Sequence, residues 1–300
     1  MGTGGRVGRL RAPAAPLVAT LLAATSLAGC GSSGQDGAGA PSVPPAGGTG
    51  PGSPSGSATA RSWRLVWSDE FEGPAGTPPD PARWTHDTGD GGWGNDELQR
   101  YTDSTQNARL DGRGALEIVA RVQQTGRSRR YTSARITTRR SFTPRYGRFE
   151  ARLRLPAGRG IWPAFWLNGI CATGWPDCGE VDVMESVDEV PRTVRSRIHG
   201  PGPSYRSGIG RDWRVRSRLD EGFHVYGVEW TPDHAAFTFD GVEYSRVERA
   251  RLAEGEVWAL DNDAYLILNV AVGGSWPGNP TPQTRFPTRL KVDWVRCYQR

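Results

Sequence analysis

The sequence predicts an all-β domain of the sandwich or jelly-roll class, and three observations carry that prediction. Apolar and polar residues alternate with period two across most of the chain after position 62. Glycine and proline, 26 and 16 residues after position 62, punctuate the alternating runs. No strand–helix–strand rhythm of the kind that builds parallel sheets is present. Runs 116–122 and 148–155 have the alternation of half-buried strands. Runs 237–239 and 242–244, joined by Asp240-Gly241, read as a hairpin with a two-residue turn. Runs 265–272 and 290–298 are further strands, the first nearly all apolar and so expected to be buried on both faces. Short helices are expected only at 81–84 and 252–260, and no internal repeat is found.

The N-terminus bears on compartment. Arg6, Arg9 and Arg11 precede an apolar run over 17–27, in the order of an export signal. No other apolar run approaches the ~20 residues of a membrane-spanning helix. Leu27-Ala28-Gly29-Cys30 resembles the lipobox of bacterial lipoproteins, which implies a signal peptide at 1–29 and lipidation of Cys30. An ordinary signal with a chance cysteine is the alternative. Residues 30–61, almost all Gly, Ser, Pro and Ala, have little apolar surface to bury and read as a disordered tether. The remaining 62–300 is long enough for one substantial core. Together these place a monomer on the extracellular face of a bacterial envelope, touching membrane only through its lipid, or else secreted.

A formal net charge of +5, nearly all of it arginine, raises a nucleic-acid reading. The arginines read as dispersed singly, apart from Arg129-Arg130 and Arg139-Arg140, with no nucleic-acid motif, so no nucleic-acid partner is expected. Cys171 and Cys178 bracket a short Gly/Pro loop and, in an exported chain, are expected to pair rather than remain free. Cys297 is then left as a buried thiol, and no Cys/His cluster suits a metal.

The chemistry concentrates in Glu180-Val181-Asp182-Val183-Met184-Glu185. A regular strand puts Glu180 and Asp182 on one face and Glu185 on the other. One extra residue at Val183 or Met184, a β-bulge, would return Glu185 to the acidic face. Three carboxylates gathered on a buried-looking strand are costly unless something uses them, although solvent-facing strand acids would look the same by pattern alone.

The flanks decide between these readings. Arg148-Phe149-Glu150-Ala151-Arg152, Trp162-Pro163-Ala164-Phe165-Trp166, Gly174-Trp175-Pro176 and the E-x-D-x-x-E run occur in an order that resembles glycoside hydrolase family 16, laminarinase-like branch. Trp67-Ser68-Asp69-Glu70-Phe71, Gly92-Trp93-Gly94-Asn95, Glu229-Trp230-Thr231-Pro232, Val270-Ala271-Val272-Gly273-Gly274 and Asp293-Trp294 extend the resemblance over nearly the whole domain. It implies a concanavalin-like β-jelly-roll of two curved antiparallel sheets with a concave substrate cleft. It also implies a retaining endo-glycosidase acting on β-1,3-linked or mixed-linkage glucan by double displacement. In that chemistry Glu180 is the nucleophile, Glu185 the acid/base, and Asp182 the residue that keeps the two in different protonation states.

The resemblance further places Trp162, Trp166 and Trp276 in the cleft as sugar platforms, Asn95 on sugar hydroxyls, and His199 beside the catalytic strand. Trp63, Trp67, Trp84 and Trp294 are expected to be structural. No cofactor is implied for catalysis. A structural calcium ion is implied on the convex side, at Glu70, the Gly112 carbonyl and Asp293. Agar, carrageenan or galactan as substrate, transglycosylation, and a non-catalytic glucan-binding module are the competing readings. Retention of all three acids argues against the last, and Met184 within the signature favours the β-1,3-glucanase and agarase branches.

Overall fold

The computed structural model describes residues 62–126 and 128–300. The expectations for 1–61, including the signal peptide, the lipidation at Cys30 and the tether, lie outside the described residues. In chain order the strands are β1 (Arg64–Asp69), β2 (Thr85–Asp87), β3 (Gln99–Tyr101), β4 (Ala108–Leu110), β5 (Leu116–Thr125), β6 (Ser128–Ser133), β7 (Arg135–Thr137), β8 (Gly147–Arg154), β9 (Ile161–Gly169), β10 (Glu180–Glu185), β11 (Thr193–His199), β12 (Ile209–Arg214), β13 (His224–Trp230), β14 (His234–Phe239), β15 (Val242–Glu248), β16 (Ala264–Val272) and β17 (Thr288–Gln299). One helical turn, α1 (Pro203–Ser207), lies between β11 and β12.

The strands form two sheets. Ten make a sheet ordered β15-β14-β13-β8-β17-β5-β6-β3, with β1 on β17 and β4 on β5. Seven make the other, ordered β12-β11-β10-β9-β16-β7-β2. Pairing is antiparallel except between β3 and β6, which run parallel, a small departure from the all-antiparallel expectation. Inward-facing residues of both sheets, among them Leu116, Phe149, Leu153, Phe165, Leu167 and Leu266, meet in one apolar cluster. Each such side chain contributes about 1.5–3 kcal/mol by leaving water.

Strand β16 is buried along its whole length, as its apolar run predicts. Its register with β9 runs unbroken from Ala264 opposite Gly169 to Val272 opposite Ile161. The hairpin also forms: Phe239 faces Val242 across a turn in which Asp240 and Gly241 both take positive φ, 47° and 79°. Such a turn matches the right-handed twist of the flanking strands. Cys171 and Cys178 are joined, with S–S 2.08 Å and Cα–Cα 5.2 Å, and Cys297 is a buried free thiol.

The two short helices expected from sequence do not form. At 81–84 a single turn closes on the Asp80 carbonyl, because the Trp84 indole is drawn into the core and donates to Asp69 Oδ2 at 2.8 Å. At 252–260 Leu252 is already extended, and the segment ends with Ala259 and Leu260 buried. The Leu260 carbonyl there accepts from the Trp230 indole at 3.0 Å. In both places one tertiary contact outweighs a weak local helical preference. No helix among the described residues is long and apolar enough to cross a membrane.

Candidate active site

Strand β10 begins at a forced position. Gly179 has φ +77°, and a Cβ there would lie 2.4 Å from the Ala259 carbonyl oxygen, so only glycine fits. From that fixed start Glu180 pairs with Asn168 of β9 and Asp182 with Trp166. The register then slips: Met184 faces Phe165 and Glu185 faces Ala164, so β10 spends one residue more than β9. The same surplus appears against β11, where Asp182 faces Arg197 but Glu185 faces Arg195. This is the bulge that the alternation demanded. Val183 and Met184 both turn into the core, 1 % and 0 % exposed, and Glu185 comes round to the face of Glu180 and Asp182.

That face opens into a cleft of about 790 Å³ over the seven-stranded sheet. The cleft collects every residue that the sequence assigned to catalysis and substrate: Glu180, Asp182, Glu185, Asn95, Trp162, Trp166, His199 and Trp276. Trp162 donates its indole N–H to Glu185 Oε1 at 2.8 Å and meets Trp276 edge-on at 5.2 Å. Trp166 donates to Asn269 Oδ1 at 2.8 Å. From Asn269 a chain of hydrogen bonds continues through the Tyr101 hydroxyl to Glu97, which also accepts from Asn95 at 3.1 Å. The two platforms and the expected hydroxyl binder are thus anchored from below. A second hollow, about 670 Å³ along the β2 edge, lies away from the three carboxylates.

Each carboxylate faces a basic residue of β11: Glu180 opposite His199, Asp182 opposite Arg197, Glu185 opposite Arg195. His199 Nδ1 lies 3.0 Å from the Arg206 carbonyl oxygen, which can only accept, so this nitrogen carries the ring's N–H. Nε2 lies 3.0 Å from Asp182 Oδ2, off-line for a hydrogen bond, and offers a positive partner only when the ring is protonated. Burial raises all three acids. Asp182 is pushed up to about 7, with Glu180's hydrogen bond and the Arg197 charge opposing the shift. Glu180 is raised well above the ordinary range by burial and then by the Asp182 charge. Glu185 is raised by burial and by Asp182, against the Trp162 hydrogen bond. Three carboxylates this close cannot all ionise, so the resting site retains protons.

Several cleft residues escaped the sequence reading. The Arg135 guanidinium lies between two indoles, 5.1 Å from the Trp93 ring and 4.7 Å from the Trp166 ring, held by Asp87 at 3.0 Å. Trp175, 50 % exposed at the tip of the disulfide loop, lies near His199 with the Arg206 guanidinium 5.4 Å from its ring. A signal did exist for Arg195 and Arg197: with His199 they keep an i, i+2, i+4 spacing of basic residues on the strand after the acidic one.

The donor atoms of Glu180, Asp182 and His199 lie within 4.8 Å of one another, a set that could also hold a cation. The expected calcium ligands do not fit an ion as they stand. Both oxygens of Glu70 are held by Arg296, at 3.0 and 2.8 Å, and Asp293 Oδ2 is held by Arg152 at 2.6 Å. The Arg296 pairing holds the Glu70 carboxyl below its ordinary range. Gly112 packs against Ala75, where a Cβ would meet another Cβ at 2.8 Å. Guanidinium groups thus take both Glu70 oxygens and one Asp293 oxygen, and an oxygen-coordinated cation would compete with them.

An acidic bulged strand under an aromatic-lined cleft is one arrangement; its ancestry is a separate question. Residues 93–296 match the family described as Glycosyl hydrolases family 16. The chain belongs to that family. It is 42 % identical to the beta-glucanase of Rhodothermus marinus over 250 residues, covering 79 % of this chain and 85 % of that one. It is 36 % identical over 231 residues to a glucan endo-1,3-beta-glucosidase of Cryptopygus antarcticus, covering 72 % and 83 %. The laminarinase catalytic domain from Thermotoga maritima MSB8 superposes with a TM-score of 0.72 at 40 % identity, covering 80 % of this chain and 99 % of that one. The protein is a family 16 glycoside hydrolase with a jelly-roll fold.

Proposed function

We propose that this family 16 enzyme is a retaining endo-β-1,3-glucanase, using Glu180 as nucleophile and Glu185 as acid/base. The observation that carries the reading is the bulge, which sets Glu180 and Glu185 on one face with Asp182 between them. The beta-glucanase and laminarinase relatives support the substrate class.

Glu180 attacks the anomeric carbon from below while Glu185 gives its proton to the departing glycosidic oxygen. Glu185 then takes a proton from water, which displaces the sugar from Glu180. The environment supports these roles. Burial keeps Glu185 protonated at the pH where an acid is needed, and the Trp162 N–H fixes one of its oxygens so that the other faces the leaving group. Asp182 shares a proton with Glu180 through their hydrogen bond. With that proton on Asp182, Glu180 is free to act as an anion. Trp162, Trp166 and Trp276 offer faces to sugar C–H groups, and Asn95 offers an amide to hydroxyls. This chemistry requires no cofactor.

The test is incubation with laminarin, mixed-linkage glucan, agarose and carrageenan, with products sized and the first-formed anomer read by NMR. We expect oligosaccharides from laminarin, released first as the β-anomer. Binding without new reducing ends would instead make the protein a glucan lectin, and an α-anomer first would exclude Glu180 as nucleophile.

The export-type residues before position 30 support placing the enzyme outside the cell, anchored through Cys30 and acting as a monomer. Radiolabelled palmitate incorporated into wild type but not Cys30→Ser is the expected result. A calcium ion at Glu70, Gly112 and Asp293 would have to displace Arg296 and compete with Arg152. Chelation is therefore expected to leave Tm unchanged, as scanning calorimetry with and without EGTA will show.

A further inference from the structure

Between positions 192 and 218 the chain carries eight arginines and one aspartate, more positive charge than its whole formal net of +5. The arginines stand singly, yet this run is dense in the sequence itself, and the fold lays it along one edge of the catalytic sheet: β11, α1 and the edge strand β12. Two of the eight, Arg195 and Arg197, face the carboxylates and are compensated by Asp188 and Asp212. Arg218 is compensated by Asp220 and Glu221. Arg206, Arg211, Arg214 and Arg216 are exposed and have no carboxylate within ion-pair distance among the described residues.

One of these four lines the cleft, and a second lies on the cleft side of the edge strand. Arg206 lines the cleft over Trp175. Arg214 lies two residues beyond Asp212 on β12, so period-two alternation puts it on the cleft face, opposite Thr193. Shielding a sheet edge from self-association does not require this charge density. The edge strand of the other sheet, β15, manages with Glu243, Arg246 and Glu248, of which Arg246 is paired to Glu243. A neutral glucan gains little from unpaired guanidinium groups, which repel one another, whereas a carboxylate or sulfate can take both N–H bonds of a guanidinium fork.

We infer that the β11–β12 edge of the cleft is a binding site for the acidic substituents of an anionic glycan, with Arg206 and Arg214 as ligands at the two ends of β12 and Trp175 as the sugar platform beside Arg206. A chain lying across the strands of this sheet leaves it over β12, where carboxylate or sulfate groups meet the uncompensated arginines. The inference rests on the β-glucanase reading above and narrows its substrates to include β-glucans carrying acidic groups.

The experiment titrates the inactivated variant Glu180→Gln, which separates binding from turnover, with laminarin, carboxymethylated laminarin and sulfated laminarin of matched length. We expect about tenfold tighter Kd for the charged chains at low salt, falling to parity in 0.5 M NaCl, where the Debye length is about 4 Å. The preference should vanish when Arg206→Gln and Arg214→Gln are added. Preference for the carboxymethylated chain alone, or the sulfated chain alone, identifies the acidic group that the site takes. Equal affinity for neutral and charged chains, or a preference that survives the two arginine substitutions, would overturn the inference. So would capture by vesicles of anionic phospholipid, lost in the arginine variants, without any glycan preference. Failure of the underlying reading looks different: wild type would then release no reducing ends from laminarin at all.

Discussion

Strands β10 and β16 both pair with β9 in the catalytic sheet, one on each side, and they solve opposite problems. Strand β16 keeps one register for nine residue pairs and buries every residue. Strand β10 breaks register against both neighbours within six residues and brings three carboxylates to one face. A ladder as regular as β16 spends its side chains on packing, with Leu266, Leu268, Val270 and Val272 in the core and Asn269 steadying Trp166 from beneath. The bulge gives up ladder regularity at Val183, and in return a carboxylate that parity would bury in the core reaches the cleft. Regular strands therefore hold this enzyme together, and the irregular one does the chemistry; stability and activity should respond separately to changes in the two.

The largest effect is expected on the irregular strand, at the acid that leads it. Glu180→Gln should cost about 10³-fold or more in kcat, yet its stability should move the other way. The folded-state pKa of Glu180 is raised, so the native protein binds more protons than the unfolded chain above the ordinary carboxylate value. Stability is therefore lost as pH rises through that window, and the amide removes the loss. The variant should melt higher than wild type at pH 7 and level with it near pH 4, by scanning calorimetry.

Asp182→Asn comes next, with about 10²-fold lower kcat/KM. The Asp182 charge raises the pKa of both Glu180 and Glu185, so its removal lowers both. Both limbs of the pH–rate profile should move to lower pH: the acid limb because Glu180 ionises earlier, the alkaline limb because Glu185 loses its proton earlier. A merely structural Asp182 would leave the profile in place while lowering its height.

Much of this contrast was legible in the sequence, because it rests on parity. The unbroken apolar run of 264–272 announced a strand buried on both faces, and the spacing of Glu180, Asp182 and Glu185 announced that only a bulge could unite them. The Asp240-Gly241 turn and the Cys171–Cys178 pair were legible for the same reason, since both are local. Features set by strands meeting from distant segments were not. Arg135 reaches the cleft only because β7 lies next to β16. The arginines on Glu70 and Asp293 reach them only through the β1–β17 and β8–β17 pairings. The edge arginines read as scattered because strip and cleft share a face only after β11 and β12 pair.

The smallest expected effect on activity is on β16, and it completes the comparison. Leu266 is fully buried against the opposing sheet, on the face of β16 away from Asn269. Leu266→Ala should cost about 2–5 kcal/mol through lost transfer energy and the cavity left behind. Urea unfolding should show that loss as a lower midpoint with the slope unchanged, since the surface exposed on unfolding hardly alters. At temperatures where the variant stays folded, kcat on laminarin should remain within about twofold of wild type, because the nine-pair ladder holds Asn269 and Trp166 whether or not the core beneath is full. A large fall in kcat at full folding would mean that the core of β16 sets the position of the cleft residues, and that the two strands divide their labour less cleanly than their registers indicate.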